Sequence, residues 1–453
     1  MYSLALVAAV ILAVPGRQPS PRLVVEAEEV VTSYVPANNG AGPSWCYGST
    51  IVARQDDVVY ASMIETGKDV PPLCNTRWQL WRRDAAGWKL VQHEEVYRQR
   101  EPCPIGVFRG GPVFLSVNPS TEPPGTQYGA CHPLVLQFDV RKPDAKPVEL
   151  EPVWAAGTRF TDHSYRGFAA DGESGELLLL NINAGSGEQY VSHCDRKGAW
   201  HARGTIRFPI RSCYPQVALC GGAAHVLAIG DIVEPNEEWR RLKLEKTGSK
   251  WDYVFRRLFY AFTPDLSAKP FAEPIEVDSV EKTAGHITNL DLYVDSAGAA
   301  HLLYLKRPHQ YAFLRDKYFP GQPMVNLLEY AIIRDGKVVL RRTLAGTHSD
   351  GGRVDPLYGR FHVVSARRLC VIVAGTGRGA GGRPVFANWW GPLGSGDGAV
   401  ELVPVEMTAP MRSFFTATPR GGSRPSRIID LFGTADDSLR FRYARVVVAD
   451  EGS

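Results

Sequence analysis

The sequence predicts an all-β fold: a seven-bladed β-propeller of four-stranded antiparallel blades, its ring closed by an N-terminal strand. Three observations lead there. An apolar hairpin recurs along the 453 residues, hairpins with one charged face lie between the copies, and no stretch sustains the apolar period of an amphipathic helix.

The recurring unit is plainest at residues 163–180. Asp171, Gly172 and Gly175 tolerate the backbone of a tight reversal, and Leu177, Leu178, Leu179 and Leu180 follow as an apolar run of strand length. The same shape returns at residues 215–228 and 289–304, and these two copies share Ala-Ala-His after the turn, ending in His225 and His301. A single hairpin cannot bury both of its apolar faces, so a repeated one implies neighbours arranged around an axis. His225 and His301, at equivalent places in the repeat, read as structural.

In chain order, residues 23–31 form a strand pattern with no local partner. Inner hairpins then begin near residues 50, 106, 165, 216, 289, 361 and 427, at spacings of roughly 50 to 75 residues that suit four-stranded blades with loop insertions. Between them, residues 78–91, 190–200 and 328–340 alternate apolar with charged side chains around glycine turns, as outer strands with one wet face do. The seventh unit runs out of chain after two or three strands. The lone strand near its opposite terminus is expected to complete it and so protect an open edge.

The apolar run at residues 1–16 has the length of a secretory signal and is shorter than the roughly 20 residues of a membrane span. Residues 1–18 are therefore expected to be a signal peptide, or else an N-terminal anchor, of a secreted or periplasmic protein. Residues 19–453 then make one propeller domain. With 44% hydrophobic and 22% charged residues the chain is neither disordered nor fibrous, and a net charge of +3 is too small to imply nucleic acid. The cysteines (Cys46, Cys74, Cys103, Cys131, Cys194, Cys213, Cys220 and Cys370) include no Cys-x-x-Cys, which excludes a zinc ribbon and a thioredoxin motif. Local disulfides such as Cys46 with Cys74 or Cys103 with Cys131, and buried free thiols, are both open.

In a propeller, the loops leading into the innermost strands and those between the second and third strands open on one face around the channel. Residues far apart in sequence converge there. The first set holds Trp45, His163, Tyr165, Arg166, Arg211, Tyr214, His286 and Arg353; the second holds His132, Tyr190, Arg240, His309 and Tyr311. A face rich in His, Tyr and Arg and poor in carboxylates suits an anionic ligand, with arginine binding carboxylate or sulfate bidentately and rings lying on sugar faces. The chain has no Gly-x-Ser-x-Gly elbow, Walker loop, dinucleotide-binding glycine motif or His-Glu-x-x-His. The Ser-x-Asp-x-Gly-x-x-Trp box of sialidases is approached only at residues 294–301, without its Trp. Paired carboxylates for glycoside hydrolysis are not evident, although Asp162, Asp231 and Glu234 fall near the same face.

The blocks His163-Ser164-Tyr165-Arg166-Gly167, Tyr214-Pro215-Gln216-Val217-Ala218-Leu219 and Gly285-His286-Ile287-Thr288-Asn289-Leu290-Asp291 are similar to those of exported bacterial propellers with BNR-like repeats, a group that includes the seven-bladed ulvan lyases. At the level of blade pattern the resemblance spans most of residues 45–445. It implies a polysaccharide lyase that cleaves an anionic, uronic-acid-containing polysaccharide by β-elimination. No cofactor is required for such catalysis, and a structural metal ion is left open. The implied partner is an anionic polysaccharide and not nucleic acid, with no protein partner and a monomeric chain. On this reading the catalytic candidates are His132 and His163, at the substrate carboxylate or as base, Tyr214 as base and acid, and Arg240 or Arg166 as charge clamp. Tyr165, Arg166, Tyr190, Arg211, His286, His309, Tyr311 and Arg353 are the substrate-binding candidates. The alternatives are a glycoside hydrolase or sialidase-like enzyme and a non-catalytic glycan-binding propeller.

Overall fold

Blade III shows why the inner hairpins read as unbroken apolar runs. Its first two strands are Gly167–Asp171 and Glu176–Ile182, and Leu177 through Leu180 are all fully buried. Leu177 and Leu179 pack on Phe114 and Val135 of blade II, while Leu178 and Leu180 pack on Val217 and Val226 of blade IV. Successive side chains leave a strand on opposite faces, so a sheet covered on both sides has no wet position to fill.

Seven such four-stranded antiparallel sheets make up the molecule, a computed structural model that describes residues 22–45, 49–183, 185–347, 354–379, 381–394, 400–435 and 438–449. The innermost strands of blades I to VII are Val52–Gln55, Ile105–Val107, Gly167–Asp171, Ser212–Cys220, His286–Val294, Val354–Ser365 and Ser413–Thr416. Each touches the next, and the last touches the first. The hairpin turns are held by aspartates: Asp195 Oδ1 accepts from the backbone N–H of Lys197 (2.9 Å) and Ala199 (3.0 Å), and Asp295 Oδ1 does the same for Ala297 and Ala299 (both 2.9 Å).

The N-terminal strand Leu23–Ser33 closes the ring. It pairs antiparallel with Arg440–Val448, giving blade VII the order Ser413–Thr416, Ile428–Thr434, Arg440–Val448, Leu23–Ser33 from the axis outward. The hairpin that begins near residue 427 is thus the second and third strands and not the innermost pair. The true innermost strand has only four residues and is followed by a long loop, so it carries no hairpin signature. Blades VII and I are locked together by Arg54, whose Nε and Nη2 donate to Asp430 Oδ2 (2.7 Å) and Oδ1 (2.6 Å), with Tyr443 donating to Oδ1 at 2.7 Å. Asp430 is fully buried and Arg54 is 7% exposed. Asp430→Ala leaves a buried guanidinium unpaired and is expected to cost about 3–5 kcal/mol; denaturant melts measure this, and a loss below about 1 kcal/mol contradicts it.

The loop between the first two strands of blade VII plugs the channel at the hairpin-turn end. The amides of Ala170 and Val107 donate to the carbonyls of Arg420 (2.8 Å) and Gly421 (2.9 Å), and Arg420 pairs with Asp291 at 3.0 Å. At Gly422, with φ +86°, a Cβ would fall 1.8 Å from Val107 O, so only glycine fits. With that mouth closed, the accessible end of the axis is the one where chains lead into the innermost strands.

Among the described residues, two α-helices depart from the all-strand expectation. Helix α1 (Glu237–Thr247) is capped by Asn236, whose Oδ1 accepts from the amides of Glu238 (3.0 Å) and Trp239 (3.1 Å), and it ends at Gly248 in the left-handed conformation. It is polar nearly all round and buries only Leu242 and Lys243, which is why no apolar stripe announces it. Helix α2 (Ala312–Tyr318) packs against it through Leu314, Tyr318 and the neighbouring Phe319. The described cysteines are free thiols; Cys103, one of the candidate disulfide partners, is fully buried against Gln99 and Glu101. Cys46 and the N-terminal apolar segment lie outside the described residues.

Candidate functional site

A cleft of about 440 Å³ opens at the unplugged end of the axis. His163, Tyr165, Tyr214 and His286 line it together with Trp45, Arg100, Trp251, Phe255 and Asn289. Most of these residues sit just before, or at the start of, the innermost strands of blades I to V, where side chains turn from the blades toward the axis. Trp251 and Phe255 come instead from the loop between the second and third strands of blade IV.

Three rings form the wall. Tyr165 and Tyr214 meet edge to face with centroids 4.8 Å apart, and Trp45 lies 5.6 Å from Tyr165 and 5.4 Å from Tyr214. Both tyrosines hold left-handed backbones, Tyr165 with φ 40° and Tyr214 with φ 50°. Such backbones cost about 1–3 kcal/mol each and persist where surroundings over-determine them. For Tyr214 the cause is visible: the pairing of strand Ser212–Cys220 slips between Cys213 and Gln216, and Asn289 Nδ2 donates to Tyr214 O at 2.7 Å. A bulge there turns the phenol out of the blade and into the cleft.

His163 Nδ1 lies 3.3 Å from Asp162 Oδ2, and Asp162 is 3% exposed while His163 is 33% exposed. Burial on its own would raise the Asp162 carboxyl, but the adjacent His163 together with Arg100 holds it below the usual carboxylate range. A carboxylate at 3.3 Å from Nδ1 favours the tautomer that carries its proton on that nitrogen. Arg100, 6% exposed, lies 3.6 Å from Asp162 Oδ2 and 3.8 Å from Glu101 Oε1, and its guanidinium rests over Trp45 at 5.5 Å. His286 Nε2 is 3.2 Å from Thr288 Oγ1. Burial pushes its imidazole down to about 4, with Arg307 and Arg256 adding repulsion, so it faces the cleft uncharged. Arg211 pairs with Asp231 and lies over the rings of Tyr165 (5.5 Å) and Tyr253 (5.9 Å).

Buried neutral histidines set an acid limit for the fold. Burial also pushes His225 down to about 4, its Nδ1 lying 2.6 Å from Tyr260 OH; His301 repeats the arrangement with Tyr330 at 2.6 Å. Between pH 4 and about 6.5 the unfolded chain binds protons that folded His225 and His286 refuse. Their contribution is full above pH about 6.5 and is lost toward pH 4, by up to about 1.4 kcal/mol per pH unit for each histidine. A lower urea midpoint at pH 5 than at pH 7 is expected; equal midpoints contradict it.

The other candidates from sequence do not line the cleft. His132 is 52% exposed beside Glu151 at 2.8 Å, and Tyr190 donates to Glu188 at 3.1 Å. Arg240 on α1 pairs with Asp252. His309 Nδ1 lies 2.9 Å from Thr283 O, and Tyr311 stacks on Phe313 at 5.0 Å, both as parts of the helical insertions. Arg166 lines only a small recess beside the cleft and donates to the carbonyls of Ser116 (2.7 Å) and Pro102 (2.9 Å), which ties its guanidinium to backbone. Arg353 lies outside the described residues. The cation that does line the cleft, Arg100, is not among the candidates from sequence; it lies in Arg98-Gln99-Arg100-Glu101, which carries no strand pattern or motif. Its position, a few residues before the innermost strand of blade II, was the available signal.

No protein-family model matches the chain, and no curated protein is significantly similar to it in sequence. Among solved structures, a PL25 ulvan lyase superposes with a TM-score of 0.51 at 10% identity, covering 95% of this chain and 96% of that one. The structure of a PL25 ulvan lyase bound to -[GlcA(1-4)Rha3S]- gives 0.50 at 10% identity over 95% and 96%. An α-L-arabinanase of Penicillium chrysogenum gives 0.40 at 12% identity over 76% and 92%. The resemblance to ulvan-lyase propellers expected from sequence is present as a likeness of fold.

Proposed function

We propose that this propeller is a polysaccharide lyase acting on a uronic-acid-containing polysaccharide by β-elimination. The observation that carries the reading is the set of groups in one cleft: a histidine backed by a buried aspartate, a tyrosine turned inward by a bulge, and a buried arginine. The reaction has three needs, and each has a residue. Arg100 binds the uronate carboxylate, with neutral His286 beside it, and so acidifies the C5 proton. His163 Nε2 removes that proton, and the C5 electron pair forms the C4=C5 double bond as the C4–O bond breaks. Tyr214 protonates the departing O4. These assignments replace Arg240 and Arg166 with Arg100 as the clamp. The complex of a PL25 ulvan lyase with -[GlcA(1-4)Rha3S]- makes ulvan the first substrate to try.

Glycoside hydrolysis is less well supported. It calls for two carboxyl groups flanking the scissile bond, whereas no described residue lining the cleft is Asp or Glu. Asp231 and Glu234 are committed to Arg211 and Arg256, and Asp162 sits behind His163. The test is incubation of the purified protein with ulvan and a panel of other polyuronides. The expected result is ultraviolet absorbance of the unsaturated uronate together with shortened chains. Chain shortening without that chromophore, or no product from folded protein on the whole panel, rejects the lyase.

A further inference from the structure

Trp251 is the most exposed tryptophan, at 58% exposure, and it also borders the cleft. It does not stand alone. Trp251, Tyr253 and Phe255 alternate along the segment that carries the short strand Tyr253–Val254, and their rings meet. Trp251 lies 5.8 Å from Tyr253 at 29° and 5.9 Å from Phe255 at 28°, both stacked. Phe255 in turn touches Tyr214 at 5.9 Å and His286 at 5.7 Å. A row of rings thus leads from the catalytic candidates out to solvent.

The row is fixed from behind. Tyr253–Val254 pairs with Ile232–Val233 as a short ribbon, and the base of the loop is held by the buried Arg256, paired with Glu234 and lying over Trp239 at 5.1 Å. Lys243 of α1 reaches across to the Trp251 carbonyl and places its ammonium 5.6 Å from the indole ring; Arg240 pairs with the next residue, Asp252. Helix α1 therefore serves as a brace for an exposed indole. A rigid flat ring beside a cleft offers contact area at low entropic cost to a ligand.

We propose that Trp251, braced by α1, forms a sugar-stacking subsite at the outer edge of the cleft that receives the apolar face of a pyranose next to the one whose bond is broken, holding the polysaccharide chain across blade IV. This rests on the proposed action on polysaccharide and adds where a neighbouring sugar is held.

Affinity electrophoresis in gels containing ulvan tests it, because retardation reports binding whether or not bonds are cleaved. Wild-type protein is expected to be retarded, Trp251→Ala to bind about 2–10-fold more weakly, and Trp251→Phe to recover most of the loss, as a stacking contribution of this size predicts. Trp251→Leu keeps apolar bulk without a flat face and is expected to bind as weakly as the alanine variant. Thermal melts matching wild type separate binding from folding. Undiminished retardation of Trp251→Ala, or full recovery by Trp251→Leu, overturns the subsite, as does wild-type protein that ulvan does not retard. A Trp251-dependent shift without unsaturated product keeps the subsite and rejects only the lyase chemistry.

Discussion

His163→Ala is expected to lower kcat on a cleaved polyuronide by about 10²–10⁴-fold, the range for removal of a positioned general base. KM should change little, because the imidazole acts on a proton that moves only in the transition state. Asp162→Asn keeps the shape of the pair but lets His163 settle with the wrong nitrogen protonated. Its loss should approach that of His163→Ala if the carboxylate sets the tautomer, since Asp162 lies 3.3 Å from Nδ1 and is held ionised. Asp162→Asn also removes a charge from Arg100, so its melting temperature must be read beside its rate. A His163→Ala variant that retains wild-type kcat on the same polymer removes His163 from the reaction and shifts proton abstraction to another cleft residue, with Tyr214 and the neutral His286 the candidates.

Arg100 carries the second large effect. Arg100→Met is expected to lower kcat/KM by about 10²–10³-fold, as loss of one preorganised donor to developing charge does. Arg100→Lys should recover only a fraction, because an ammonium lacks the planar fork that matches a carboxylate. Polymer in which the uronate is methyl-esterified separates charge neutralisation from packing: with the carboxylate already neutral, the Arg100→Met penalty should shrink toward unity. A penalty of equal size on both polymers would assign Arg100 to structure alone. Some structural cost is built in, since Asp162 and Glu101, at 3% and 6% exposure, would both lose a buried cation. Rates should therefore be taken well below the melting temperature of each variant.

The sequence by itself determined the ring. Each blade is buried on both faces, so the hairpins had to appear as apolar runs such as Leu177 to Leu180, and the polar outer pairs had to alternate. The incomplete seventh unit and the unpaired strand near residue 23 predicted each other, because an open edge is costly. His163, Tyr165, Tyr214 and His286 were legible for the same reason: the position leading into an innermost strand maps directly onto the channel mouth. What only the tertiary structure decided is which polar side chains face the cleft. Arg166 is spent on carbonyls and Arg240 on Asp252, while Arg100, undistinguished in sequence, lines the cleft. Trp251 and Phe255 reach the same cleft from an insertion whose helix shows no apolar stripe. A hairpin signals itself through local periodicity, but whether a charged side chain is a ligand or a strut depends on partners dozens of residues away, and no local pattern carries that.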